Sequence, residues 1–262
     1  MHDALLSIQN LTLHFGGVTA VNGVTFDICQ GQIVGLIGPN GAGKTSLINL
    51  ITGTYIANEG EVYLNKANIL QKPIFQRARL GLSRTFQNLA LFNGMTVYDN
   101  VMVGRHLHIS EHAISSFLPM PWARQSSDEK QSTTIVESLL DRFGLSELRN
   151  EEVGALPYGF QKRVELARAL ASEPLVLMLD EPFAGMTSSE SRELAKVILE
   201  IWIEKKLTIL MIEHNMGLIM DLADIVVVLD FGKLVAVGPP EEIKINPKVI
   251  KAYIGDADSE LS

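Results

Sequence analysis

Apolar residues are distributed along this chain in two ways. Apolar-rich runs of five or six residues occur at 32–37, 175–179, 207–212 and 225–229, each bounded by polar residues, glycine or proline. That is the length and pattern of strands buried on both faces. Between the later runs, apolar residues recur at helical spacing over 160–171, 188–205 and 216–222. Strands alternating with helices predict a parallel sheet covered on both sides. The N-terminal stretch differs, alternating through Leu11, Leu13 and Phe15, then Val24, Phe26 and Ile28, about the turn Gly16-Gly17. It predicts an antiparallel pair over 5–15 and 18–28. Residues 59–65 give another short strand, and 81–88 a brief one ending in the polar pair Gln87-Asn88. From 89 to 157 long β-branched runs disappear, and helical patterns stand at 97–105 and 129–143 around a proline- and serine-bearing surface loop at 119–128. The pattern describes one α/β domain: a core over 1–88 and 158–255, an N-terminal antiparallel β subdomain within it, a helical insertion at 89–157 and a polar, frayed tail at 256–262.

The first mostly buried run leads into Gly38-Pro39-Asn40-Gly41-Ala42-Gly43-Lys44-Thr45-Ser46, with a helical pattern after it. A glycine-rich turn between a buried strand and a helix is the context of a phosphate-binding loop. Gly38, Gly41 and Gly43 let backbone N–H groups converge, and the helix N-terminus adds its positive end. Lys44 is expected to reach the β- and γ-phosphates of ATP, and Thr45 to place its hydroxyl on Mg²⁺. This makes the core a P-loop NTPase. At the end of the run 175–179 stand Asp180 and Glu181, at the strand edge where open α/β sheets bind ligands. Asp180 is expected to hold Mg²⁺ and Glu181 to polarise the attacking water. Gln87 and His214 follow other strand patterns and, in the same sheet, would face the γ-phosphate, with Gln87 also reaching the metal. Phe15 sits at the hairpin turn, as an adenine platform or a core aromatic.

Composition narrows the function. Hydrophobic residues make up 47% and charged residues 20% of the 262, a packed globular balance, and the net charge of −8 argues against a nucleic-acid partner. Cys29 is the sole cysteine, so no internal disulfide forms. The histidines at 106, 108 and 112 lack a second ligand set and read as exposed helix residues. No apolar run approaches a membrane span, and Met1-His2-Asp3 does not begin a secretion signal.

Taken together, these motifs resemble the ATP-binding subunits of ABC transporters: the phosphate loop at 38–45, a glutamine loop at Gln87, a signature region at 156–160 that includes Gly159, a Walker B strand at 175–180 and a switch histidine at His214. Phe15-Gly16-Gly17, the residues 84–88, 181–186 and 212–216, and the closing 246–255 are similar to the branched-chain amino acid importer subfamily, with the lipopolysaccharide-export ATPase a near cousin. The resemblance implies that Phe15 stacks on adenine. It implies a head-to-tail dimer with a second ATPase subunit, usually a different one, docked on two membrane-spanning permease subunits at the cytoplasmic face of the inner membrane. A solute-binding protein outside would take part indirectly. The cargo could instead be an amide or urea, and a soluble ABC ATPase is the alternative from another class.

The chain departs from the family pattern in two places. The signature reads Leu156-Pro157-Tyr158-Gly159-Phe160 where LSGGQ-like residues are usual, and Thr187-Ser188 replace the usual Asn or Asp followed by Pro. Both fall on the surface offered to a partner's nucleotide, which reads as a competent cis half and a weakened trans half in a heterodimer with unequal sites; the alternative is that the Gly159 N–H and the helix dipole at Phe160 suffice, leaving both sites equivalent, in a heterodimer or a homodimer.

Overall fold

The computed structural model describes residues 4–85, 89–108 and 127–257. Gln87, His112 and most of the 119–128 loop lie outside them. Packing groups the chain into two units. One comprises Met1–Arg84, Leu175–Glu181 and Ile201–Ser262, the other Thr85–Pro174 and Pro182–Glu200.

The first unit holds both sheets. β1 (Ala4–Phe15) and β2 (Val18–Cys29) form the expected antiparallel pair, closed by Phe15 opposite Val18. β3 (Ile33–Ile37) is buried at every residue and passes through the phosphate-loop stretch into α1 (Lys44–Thr52). β4 (Glu59–Leu64) and β5 (Ala67–Asn68) complete a four-stranded sheet in the order β2-β1-β4-β5. α2 (Ile74–Arg79) precedes β6 (Leu82–Arg84).

The second sheet carries the site. Its order is β10-β9-β3-β8-β7-β6, built from β6, β7 (Val176–Asp180), β8 (Thr208–Ile212), β9 (Ile225–Asp230) and β10 (Lys233–Gly238) around β3. All neighbours are parallel except the last pair, β9 and β10. Every residue of β3, β7 and β8 is buried, as apolar-rich runs require. β10 is half exposed at the sheet edge, and the apolar pattern does not predict it.

The core of this unit lies against α1, where Leu47, Ile48, Leu50 and Ile51 are inaccessible and pack among Leu6, Ile8, Val34, Leu36 and Met178. Burial of each such side chain stabilises by about 1.5–3 kcal/mol. The far end of α1 is capped from α2: the buried Arg77 guanidinium donates to the carbonyls of Leu50 and Ile51, both at 2.7 Å. Desolvation lowers the Arg77 pKa from its ordinary value. α7 (Met216–Leu222), α8 (Pro240–Lys244) and α9 (Pro247–Ala257) complete this unit. α9 runs two residues into the segment expected as a frayed tail from 256, because a helix already anchored by buried Val249 propagates one hydrogen bond per residue added.

The second unit is helical. It contains α3 (Val97–Val103), α4 (Ser127–Arg142), α5 (Tyr158–Ala171) and the larger part of α6 (Ser188–Lys205). Thr96 caps α3 by accepting from the Asp99 N–H at 3.1 Å. Arg105, only 2% exposed, donates to Ala171 O and to the Glu173 carboxylate, both at 2.7 Å. His106 and His108 are exposed on a 3-10 turn rather than on an α-helix. His108 Nε2 lies 2.7 Å from Ser172 O, and the described residues contain no group of three or more histidines, cysteines or carboxylates placed to hold a metal by themselves.

Candidate nucleotide-binding site

Strand register builds this site. In β8, Ile212 lies beside both Leu36 of β3 and Asp180 of β7, so the three strands end level with one another. The phosphate loop, the Asp180-Glu181 pair and the Glu213-His214 pair therefore leave one carboxyl edge of one sheet, within the first unit.

The loop is a backbone cradle. Gly43 at the N-cap of α1 has φ +96°, and a Cβ there would strike Ala20 O, while one on Gly38 would strike Leu229 O. No side chain caps α1, which leaves the helix N-terminus to an anion. Pro39 and Ala42 are buried, Asn40 and Gly41 exposed, and Ser46 is partly covered. Lys44 is 7% exposed and donates from Nζ to Gly38 O at 2.7 Å and Pro39 O at 2.9 Å. Its ammonium is thus held at the loop it would serve. Thr45 is exposed on the first turn of α1. The oxygens of Thr45 and Asp180 are hard donors of the kind Mg²⁺ takes together with phosphate, so the residues present fit a magnesium-bearing nucleotide.

Asp180 is 1% exposed. Glu181 follows with φ +50°, a left-handed backbone that L-residues with side chains adopt at a cost of order 1–3 kcal/mol. Its N–H donates to Ile212 O at 3.0 Å, which holds that conformation. Its Oε1 accepts from His214 Nε2 at 2.8 Å, joining two residues 33 apart in the chain. The next residue, Asn215, caps α7 by accepting from the Leu218 N–H at 3.2 Å.

Phe15 is 48% exposed and meets Tyr55 edge to face, with ring centroids 5.2 Å apart. It is not a core aromatic. Gly159 belongs to the second unit, on the first turn of α5. Pro157 is the N-cap there and offers no side-chain cap bond. Gln87, outside the described residues, is not located.

Three neighbours of the site escape motif reading. Arg84 donates to Asp180 Oδ2 at 2.7 Å and to Asn49 Oδ1 at 2.5 Å. Tyr253 of α9 accepts a hydrogen bond from the Gly38 backbone, while burial pushes its phenol up to about 12. Tyr55 backs Phe15. The first two lie inside stretches singled out at 84–88 and 246–255, which was the available signal.

The family model described as ABC transporter matches residues 21–184, and that of the branched-chain amino acid ATP-binding cassette transporter matches 233–259. The chain is 40% identical to the high-affinity branched-chain amino acid transport ATP-binding protein BraF of Pseudomonas aeruginosa, over 98% of this chain and 100% of that one. It is 41% identical to the corresponding protein LivG of Escherichia coli, with the same coverage. Among solved structures it resembles the ADP conformation of an ATP-binding cassette of an ABC transporter, with a TM-score of 0.82 and 30% identity over 97% of this chain and 99% of that chain. A nucleotide-free ATP-binding cassette gives 0.81 and 30% over 96% and 99%. A phosphate cradle, a buried aspartate and a glutamate–histidine pair on one sheet edge, in a chain that follows these relatives from end to end, place it in one family: it belongs to the ATP-binding subunits of ABC transporters, in their branched-chain amino acid group.

Proposed function

We propose that this subunit hydrolyses Mg²⁺-ATP to drive uptake of branched-chain or other hydrophobic amino acids. The observation that carries the chemistry is the convergence of Lys44, Asp180 and the Glu181–His214 pair on one sheet edge. Adenine stacks on the open face of Phe15. Lys44 leaves the carbonyls of Gly38 and Pro39 for the β- and γ-phosphates, and the N–H groups from Gly41 to Ser46 supply the rest of the cradle. Thr45 and Asp180 would hold Mg²⁺, with Gln87 as the further ligand expected from the sequence, and the metal when bound would supply positive charge to the phosphate oxygens. Glu181 accepts the proton of the attacking water, and His214 fixes the carboxylate through the 2.8 Å hydrogen bond. The second unit offers Gly159 and the N-terminus of α5 to the nucleotide of a partner ATPase.

The C-terminal match at 233–259 and the named cargo of the relatives support an amino-acid importer. No helix of the described residues is long and apolar enough to cross a membrane, consistent with a peripheral subunit on the cytoplasmic face, bound to two permease subunits. Two unequal ATPase subunits and an external solute-binding protein complete the proposed assembly. The test is reconstitution of that assembly in liposomes. Leucine-loaded binding protein should stimulate ATP hydrolysis several-fold. Stimulation by an amide- or urea-loaded protein instead would overturn the cargo, and failure to recover any membrane subunit with the chain would overturn the transport reading.

A further inference from the structure

Asp180 sits at the end of a fully buried strand, with a side chain 2% exposed beside an Arg84 side chain 9% exposed. An ionised carboxylate in that position needs a counter-charge, since burying it alone is costly. The sheet supplies one. β6 and β7 pair in parallel with Arg84 beside Met178, two residues before Asp180 and on the same face of β7. The guanidinium forks: Nη2 donates to Asp180 Oδ2 at 2.7 Å and Nη1 to Asn49 Oδ1 at 2.5 Å. Asn49 is four residues after Thr45 on α1, one turn along the helix that opens at the phosphate loop. A lysine has no such planar fork and could not reproduce both bonds in one geometry.

We propose that Arg84 is a positioning residue of the nucleotide site: its guanidinium balances the Asp180 carboxylate before a divalent cation arrives with the nucleotide, and fastens that carboxylate to the helix carrying Lys44 and Thr45. The proposal rests on the reading that Mg²⁺ accompanies the nucleotide at Thr45 and Asp180. With Arg84 present, the site meets the phosphates with its aspartate already paired. Without it, the buried carboxylate loses this ion pair while it faces an anionic ligand, and the dication must offset more negative charge. Removing Arg84 should therefore make nucleotide binding more dependent on metal.

The readout is binding of a fluorescent ATP analogue to the full-length chain in Mg²⁺ and in EDTA, expressed as the ratio of the two dissociation constants. Binding by the wild type in Mg²⁺ checks the underlying reading separately; its absence would sink that reading, not this one. Arg84→Met should raise the EDTA-to-Mg²⁺ ratio by about tenfold or more, the size of one positive charge removed from beside the ligand. Arg84→Lys, which keeps the charge, should stay within about threefold of wild type. A purely structural arginine would weaken binding equally in both conditions, so an Arg84→Met ratio within about twofold of wild type overturns the proposal. If Arg84→Met does not fold, adding Asp180→Asn removes the charge whose ion pair was lost. The double variant should then regain solubility and melt above the single one, and no recovery would overturn the proposal equally.

Discussion

The sheet edge and the signature turn handle charge in opposite ways. At the edge, Lys44 and Asp180 are nearly inaccessible, Arg84 reaches Asp180 across 96 residues, and Glu181 keeps a costly backbone conformation next to His214, 33 residues on. At the signature turn, 156–160, the groups are local. Pro157 caps α5 without a side-chain bond, Phe160 N–H donates to Pro157 O at 3.0 Å, and Gln161 Nε2 donates to Leu156 O at 2.8 Å. Thr187, the second departure from the family pattern, forms a capping box at the start of α6. Its hydroxyl and its N–H both donate to Glu190 Oε2, at 2.7 and 2.8 Å, and the Glu190 N–H donates back to the hydroxyl at 3.3 Å. Thus Thr187 is explained by its own helix, and the Phe160 ring likewise serves its own helix, with the Arg163 guanidinium 5.6 Å from its centroid. One region is preorganised for a charged ligand; the other is shaped for the stability of its own unit and presents little polar chemistry of its own.

That contrast breaks first at Glu181. In the assembled transporter, Glu181→Gln should leave nucleotide affinity within about twofold and lower ATP turnover by about 10²–10⁴-fold, the range of a lost general base. The equivalent change in the partner ATPase should cost far less if, as proposed, the partner's nucleotide faces this chain's variant signature. Equal losses from the two subunits, measured as steady-state ATPase, would show that the sites are equivalent.

A smaller effect is expected from repairing the signature. Pro157→Ser combined with Phe160→Gln restores a hydroxyl and an amide and should raise turnover at the partner's nucleotide by up to about tenfold, one charge-assisted hydrogen bond felt in the transition state. Unchanged single-site turnover would mean that the Gly159 N–H and the dipole of α5 already suffice.

The smallest effect is on stability. Thr187→Ala should lower the melting temperature of the isolated subunit by roughly 2–4 °C, the shift expected of a lost cap in a chain of this size. Hydrogen bonds from the Thr187 side chain and then its backbone hold the Glu190 carboxyl below its ordinary value of 4.5. A depressed carboxylate pKa contributes stability above the unfolded value and loses it as pH falls through the folded one. The melting difference between wild type and Thr187→Ala should therefore be full at neutral pH and shrink below about pH 4.5; a difference independent of pH would remove Glu190 from the account.

Local information carried much of this protein. Apolar-rich runs longer than a helical turn identify strands buried on both faces, which is why β3, β7, β8 and β9 were legible within about a residue; helical spacing did the same for α6 and α7. Glycine spacing identified the phosphate loop, because backbone approach to an anion tolerates few other residues. β10 and α2 escaped, the first because a half-exposed edge strand needs no apolar run, the second because six residues hold too little periodicity. The Arg84–Asp180 pair spans 96 residues, Glu181–His214 spans 33, and Arg77 caps a helix 26 and 27 residues away. Periodicity is a property of neighbours in sequence, so it placed the functional residues on their strand ends. Which of them share a hydrogen bond depends on strand order and register, set by the packing of the whole sheet, and only the tertiary structure decided that.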